Sequence, residues 1–195
     1  MEKMFRFNFY KEWYYKELER RDQLANALNI PITLLTALFG LTAYLCINFN
    51  YKSKDDCIIN LFILFISLSS IALVITMIML LISYVHKYQF QSFPLYDFLK
   101  LESDEAKDAV KKFNNEIDIY NSNTDEDDLI PDSDKLTYDI EYEERLCILL
   151  IGIIEKNATN NDIKAIFILR AKIALSICFV LIFISLGIFT FNYFK

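Results

Sequence analysis

Long apolar segments alternate with charged segments along this chain, and the longest apolar one is Ile58–Val85. It contains no Asp, Glu, Lys, Arg or Pro. As an α-helix it is about 42 Å long at about 1.5 Å per residue, more than the roughly 30 Å hydrocarbon core of a bilayer. Inside lipid, only a helix or a closed barrel satisfies its own backbone hydrogen bonds. The pattern therefore predicts a transmembrane helix.

Two further apolar segments flank this one, at Ile30–Phe49 and from about Ile173 to the C-terminus. The loop between the first two segments is short and polar, which predicts an antiparallel transmembrane hairpin over residues 30–86 and a third transmembrane helix over residues 170–195. The predicted fold class is all-α, a multi-pass membrane protein with three transmembrane helices and a helical cytoplasmic region.

The N-terminal residues 1–29 have the pattern of an amphipathic cytoplasmic helix. Phe5, Phe9 and Trp13 recur every four residues and so share one face. Two interpretations remain open for this aromatic face. It lies at the membrane surface, where Trp and Tyr favour headgroup depth, or it packs inside a cytoplasmic helical bundle.

Residues 87–169 form an acidic region with helical periodicity, predicted as helices over 95–120 and 135–156. We expect a flexible acidic loop at 121–134 and a polar break at 157–161, before a helix that leads into the third span. The whole chain has a formal net charge of −6. An acidic surface argues against nucleic acid as a partner, because phosphate binding requires basic residues.

Basic and aromatic residues at the ends of the apolar segments predict the orientation, because cytoplasmic loops carry an excess of Lys and Arg. They favour a cytoplasmic N-terminus, a cytoplasmic region 87–169 and a C-terminus on the outer side of the cell membrane. The residues predicted at the membrane interface are Trp13, Tyr14, Tyr84, His86, Lys87, Arg170 and Lys172.

Small residues recur at intervals of three and four along the first two apolar segments. Such stripes let helices approach closely in lipid, and their hydroxyl groups also suit the wall of a pore. Both roles remain open. The candidate helix-packing or pore-lining residues are Thr33, Thr36, Ala37, Gly40, Ala43, Ser69, Ala72 and Thr76.

The residues that catalysis usually needs are scarce. The chain has three glycines and one histidine, which argues against a phosphate-binding glycine loop, a zinc-protease motif and a histidine-dependent triad. We therefore expect no catalytic residue, no cofactor, no metal site and no enzymatic activity. The centres of the apolar segments lack ionisable residues, which argues against an ion-coupled carrier.

The chain has four cysteines without metal-ligand spacing. Cys46 and Cys57 flank the loop between the first two apolar segments. They pair only if that loop faces an oxidising compartment; the other interpretation is that all four are small apolar side chains.

The layout resembles the small membrane-embedded effectors of bacterial anti-phage defence systems, and in particular the SLATT-like effectors. The likeness is carried by the charged, aromatic opening FYKEWYYKELERRDQLANALNIP, by the hairpin, and by NATNNDIKAIFILRAKIAL before the last apolar segment. The third apolar segment departs from their two-span pattern. The resemblance implies a protein that assembles on an infection signal from a partner and breaches the inner membrane.

These observations predict an oligomerising membrane effector that permeabilises or disrupts the inner membrane in antiviral defence. Its expected partners are the lipid bilayer, further copies of itself and, at the cytoplasmic region, a soluble partner or a signal-generating protein. The alternative is a membrane anchor or accessory subunit that docks a soluble enzyme through its acidic region.

Overall fold

The computed structural model describes residues 2–51, 56–85, 90–94, 96–125 and 128–194. Within them the chain is helical, without any β-strand. The helices are α1 (Glu2–Asn26), α2 (Asn29–Asn48), α3 (Asp56–Val85), α4 (Tyr96–Ser122) and α5 (Tyr138–Phe194), and a short 3₁₀ turn covers Asp132–Asp134.

The chain divides into two packing units. Residues 19–90 and 159–195 form the first, which we call the apolar bundle, and residues 1–18 and 91–158 form the second, which we call the polar unit. Both α1 and α5 contribute residues to both units.

Three helical stretches are long and apolar enough to cross a bilayer. They contain α2, α3 and the C-terminal part of α5, which confirms the three apolar segments expected from the pattern. The longest, α3, begins at Asp56 and ends at Val85, within two residues of its predicted bounds.

The buried residues of the apolar bundle follow one another at alternating intervals of three and four. This is the spacing with which helices pack in left-handed coiled coils and bundles. On α2 and its flanks they are Leu28, Pro31, Leu35, Leu38, Thr42, Leu45 and Phe49. On α3 they are Phe62, Ile66, Ser69, Leu73, Thr76, Leu80 and Ser83. On α5 they are Asn161, Lys164, Ile168, Ala171, Leu175, Cys178, Ile182 and Ser185, and the next buried residue, Asn192, follows after seven residues.

Hydrogen bonds between α3 and α5 show that these helices run antiparallel. The Ser83 hydroxyl donates to the carbonyl of Lys164 over 3.5 Å, and the Cys178 thiol lies 3.6 Å from the carbonyl oxygen of Ser69. Every position in these pairs is buried. The two pairs lie fourteen residues apart on each helix, and the small side chains of Ser69, Ser83 and Cys178 let the two helix backbones approach closely there.

The polar unit has its own apolar core, formed by α1 and the N-terminal part of α5. Tyr14, Leu150, Ile153 and Ile154 are buried there. The Tyr14 hydroxyl accepts a hydrogen bond from the backbone N–H of Phe93 over 3.0 Å. Tyr14 thus packs on the face next to the aromatic one, whereas Phe9 and Trp13 are exposed, so both interpretations of the aromatic face stay predictions.

Three asparagines in the polar unit each hold a loop residue by a pair of hydrogen bonds. The Asn side chain donates to the backbone carbonyl and accepts from the backbone N–H of the same residue, as a neighbouring β-strand would. Asn157 binds Gln91 in this way, Asn114 binds Leu136 and Asn121 binds Ile130. All six distances are 2.9 Å.

Replacing Asn114 by Leu is expected to release the segment around Leu136, because two partly buried backbone groups lose their partners. We expect a local cost of about 1–2 kcal/mol, which corresponds to roughly 5–30-fold faster amide exchange there. Hydrogen–deuterium exchange of a peptide containing Leu136 measures this. Asn115→Leu is the matched control, since Asn115 is exposed on the same helix, and an equal acceleration in both variants would contradict the role of Asn114.

One element differs from the expectation. The predicted polar break at 157–161 is wrong, because α5 continues through it without interruption. Asn157 and Asn161 are buried, with exposed fractions of 0% and 2%, and lie on the inward-facing side of α5. A polar cluster that looks like a loop in the sequence is therefore part of a helix, and the asparagine side chains of this cluster lie in its buried face. The acidic segment 121–134 begins within α4, and its flexibility stays a prediction.

Candidate functional site

The small residues of α2 lie on the outside of the apolar bundle. All five candidates on this helix are exposed: Thr33, Thr36, Ala37, Gly40 and Ala43. The opposite face of α2 carries the buried residues that pack against the rest of the bundle. A Cβ atom added at Gly40 would meet no atom within 4 Å. We call these five residues the α2 stripe.

The threonine hydroxyls of the α2 stripe are satisfied within their own helix. Thr33 donates to the carbonyl of Asn29 over 2.9 Å, and Thr36 donates to the carbonyl of Ile32 over 3.0 Å. Donors that bond to the preceding turn carry little desolvation cost. The stripe therefore suits an apolar neighbour, whether lipid or another helix.

The small residues of α3 have the opposite placement. Ser69 and Thr76 are fully buried, and Ala72 is partly buried against the same core. Their hydroxyls also bond back, Ser69 to the carbonyl of Ile66 and Thr76 to that of Ala72, each over 2.8 Å. These residues pack α3 inside one chain and are not presented to a second one.

Large side chains fill the interior of the apolar bundle. Leu45, Phe62 and Leu73 are fully buried, and the rings of Phe49 and Phe62 stack 3.7 Å apart. The Thr42 hydroxyl is buried among them without a hydrogen-bond partner in the part of the chain that the structure describes. A single chain thus offers a packed core along these residues rather than a water-filled path.

The predicted interface residues fall into three groups. Trp13, Tyr84, Arg170 and Lys172 are exposed. Tyr14, only 8% exposed, differs from the expectation, because its ring belongs to the core of the polar unit. His86 and Lys87 lie outside the described residues.

The cysteines are free thiols. Cys57 is exposed and Cys46 is partly buried. In the polar unit, burial and then the negative charge of Glu143 raise the pKa of the Cys147 thiol. Cys147 is therefore mostly uncharged at neutral pH and reacts slowly with alkylating reagents, because the thiolate is the nucleophile.

Charged residues of the polar unit form structural ion pairs. Arg145 lies 2.8 Å from Glu141, 3.2 Å from Glu105 and 3.7 Å from Glu102. The hydrogen bond to Glu141 raises the pKa of Arg145. Among the described residues, no group of three or more His, Cys, Asp or Glu side chains is arranged to hold a metal ion.

The sequence had indicated the small residues of α2 and α3 together, and the structure separates them into an outward stripe and an inward one. It also reveals a charged cavity in the polar unit that sequence patterns did not indicate.

No family model matches this chain, and no curated protein or solved structure matches it.

Proposed function

We propose that the apolar bundle spans the inner membrane of a bacterium, and that copies of the chain assemble through the α2 stripe and permeabilise that membrane. The observation that carries this proposal is the outward placement of the stripe on a helix long and apolar enough to cross a bilayer. In lipid, small residues are what allow helices from separate chains to approach closely.

The packed interior of one chain supports an assembly rather than a single-chain channel. Leu45, Phe62 and Leu73 occupy the core of the bundle, which argues against an ion path past these residues. In this proposal the leak therefore forms between chains, or by disturbance of the lipid around them. A signal from a partner starts the assembly in anti-phage defence; the support for this part is the resemblance to SLATT-like effectors.

Dye release from vesicles tests the proposal directly. Full-length protein is reconstituted into phosphatidylethanolamine and phosphatidylglycerol vesicles that contain a self-quenching dye. Release that rises more steeply than linearly with protein density supports an assembly. If no dye is released at any density, while the protein spans the bilayer, the alternative is favoured, in which the chain anchors a soluble enzyme.

The proposed orientation gives a second test with native cysteines. With the N-terminus inside and the C-terminus outside, Cys57 faces the exterior and Cys147 faces the cytoplasm. We expect a membrane-impermeant maleimide to label Cys57 on intact spheroplasts and to spare Cys147, as read by peptide mass spectrometry. Labelling of both after lysis is the control, allowing for the slower reaction of Cys147. The reverse pattern on intact cells would show that the orientation is inverted.

A further inference from the structure

The polar unit contains a small cavity between α1 and the N-terminal part of α5. Its volume is about 140 Å³. A void of about 150 Å³ accepts a molecule the size of benzene, whereas pockets for drug-sized ligands occupy about 300–1,000 Å³. The cavity therefore suits a compact ligand of about six to ten non-hydrogen atoms.

A guanidinium group and two carboxylates line this cavity, and in the described part of the chain they form no ion pair with each other. Arg6 and Tyr10 line it from α1, and Glu143 and Glu144 line it from α5. Among the described residues, neither glutamate forms an ion pair with Arg6, although all of them border the same space. The guanidinium group of Arg6 thus lies on the α1 side of the cavity, and the carboxylates of Glu143 and Glu144 lie on the α5 side.

One carboxylate oxygen at this cavity lacks a partner. Glu143 Oε1 is buried and has no hydrogen-bond partner within the described part of the chain. Leaving a buried carboxylate oxygen without a donor is costly, and such atoms call for an explanation such as an unseen ligand. Because Oε1 is enclosed, a ligand in the cavity removes this cost only when the Glu143 side chain turns so that this oxygen faces the cavity and accepts a hydrogen bond there.

The remaining walls are aliphatic. Ile140, Ile148 and Ile151 lie on the α5 side, and they favour an apolar body over a sugar or a highly polar ion. The described residues provide no group that would hold a metal ion.

We propose that this cavity binds a small zwitterion of the amino-acid class with an aliphatic side chain. The ammonium group faces Glu143, the carboxylate faces Arg6, and the side chain packs against the isoleucines. The inference goes beyond the proposed function, because binding is measurable whatever the apolar bundle does in a bilayer. It would make the polar unit a sensor for a free metabolite.

Calorimetry on the full-length protein in detergent tests this with L-valine, L-isoleucine and L-leucine as probes. Two analogues of leucine separate the charges: 4-methylpentanoate lacks the ammonium group and 3-methylbutylamine lacks the carboxylate. We expect at least one of the amino acids to bind, and each analogue to bind at least tenfold more weakly than leucine, because each loses a charge-assisted contact.

The position of the ligand is read from Cys147, which also lines the cavity. A bound amino acid is expected to slow alkylation of Cys147 by iodoacetamide at least threefold and to leave the exposed Cys57 unaffected. Peptide mass spectrometry reports both cysteines in one sample. Binding without protection of Cys147 would place the ligand elsewhere and overturn the assignment.

Matched variants complete the test. Glu143→Gln and Arg6→Gln should each weaken binding at least tenfold, whereas Glu116→Gln and Lys112→Gln, at exposed positions of α4, should retain it. The proposal is overturned if none of the three amino acids binds, if either analogue binds as tightly as leucine, or if Glu143→Gln or Arg6→Gln binds normally. Higher thermal stability of Glu143→Gln without binding by the native protein would identify the cavity as a packing defect. The analogue series on the native protein decides the question even if a variant fails to fold.

Discussion

Replacing Ser69 by Leu is expected to push α3 away from α5 and to destabilise the apolar bundle by about 1–3 kcal/mol or more. Ser69 is fully buried, and its carbonyl lies 3.6 Å from the thiol of Cys178 on the facing helix. A larger side chain at this contact has no space to occupy unless the helices separate. In a chain of this size, such a loss lowers the thermal midpoint by roughly 2–12 °C.

Ser67 supplies the matched control, since it lies two residues away on the same helix but is exposed. Ser67→Leu introduces the same change on the outer face and should leave the midpoint within about 2 °C of the native value. Thermal unfolding of the purified proteins in detergent measures both. If the two variants behave alike, the face of α3 that packs against α5 has been assigned incorrectly.

Replacing both Thr36 and Gly40 by Leu is expected to abolish self-association and to reduce vesicle leakage at least tenfold, while the fold persists. Both positions are exposed, and a side chain at Gly40 would begin in open space, so the single chain accommodates the change. Two chains that meet at the α2 stripe would instead be held apart by the added side chains. Particle mass in detergent and dye release from vesicles report the two effects.

The control for this variant is the double substitution Gly187→Leu with Thr190→Leu on α5. Both positions are exposed, and the Cβ of residue 187 would also meet no atom within 4 Å. We expect native particle mass and native leakage from this protein. If both double variants keep the native particle mass and leakage, the α2 stripe is not the interface. If both lose self-association and leakage equally, any bulky addition disturbs the bundle.

The polar unit shows where prediction from the sequence was accurate and where it failed. The helix expected over 95–120 is α4, Tyr96–Ser122, because its apolar residues recur at helical intervals and Pro94 precedes it. The break expected at 157–161 does not exist, because local polarity does not reveal that Asn157 binds the backbone of Gln91. That bond joins residues far apart in the chain, and no local pattern encodes it.

The cavity beside Glu143 also could not be predicted from local sequence patterns. Arg6 and Glu143 lie on different helices, and each has an ordinary sequence environment of mixed charged and apolar residues. Only the packing of α1 against α5 brings their charges to the same void and leaves the Glu143 oxygen buried without a donor in the described structure.

The number of the apolar segments was determined by the sequence alone, because a long segment without charges, such as Ile58–Val85, satisfies its backbone hydrogen bonds in lipid only as a helix or in a closed barrel. Which side of each helix faces inward was decided by the tertiary structure. These helices are apolar all round, so no contrast between polar and apolar faces marks the buried side. Small residues lie on the buried side of α3 and α5, and Leu35, Leu38 and Leu45 lie on the buried side of α2, so the α2 stripe faces outward.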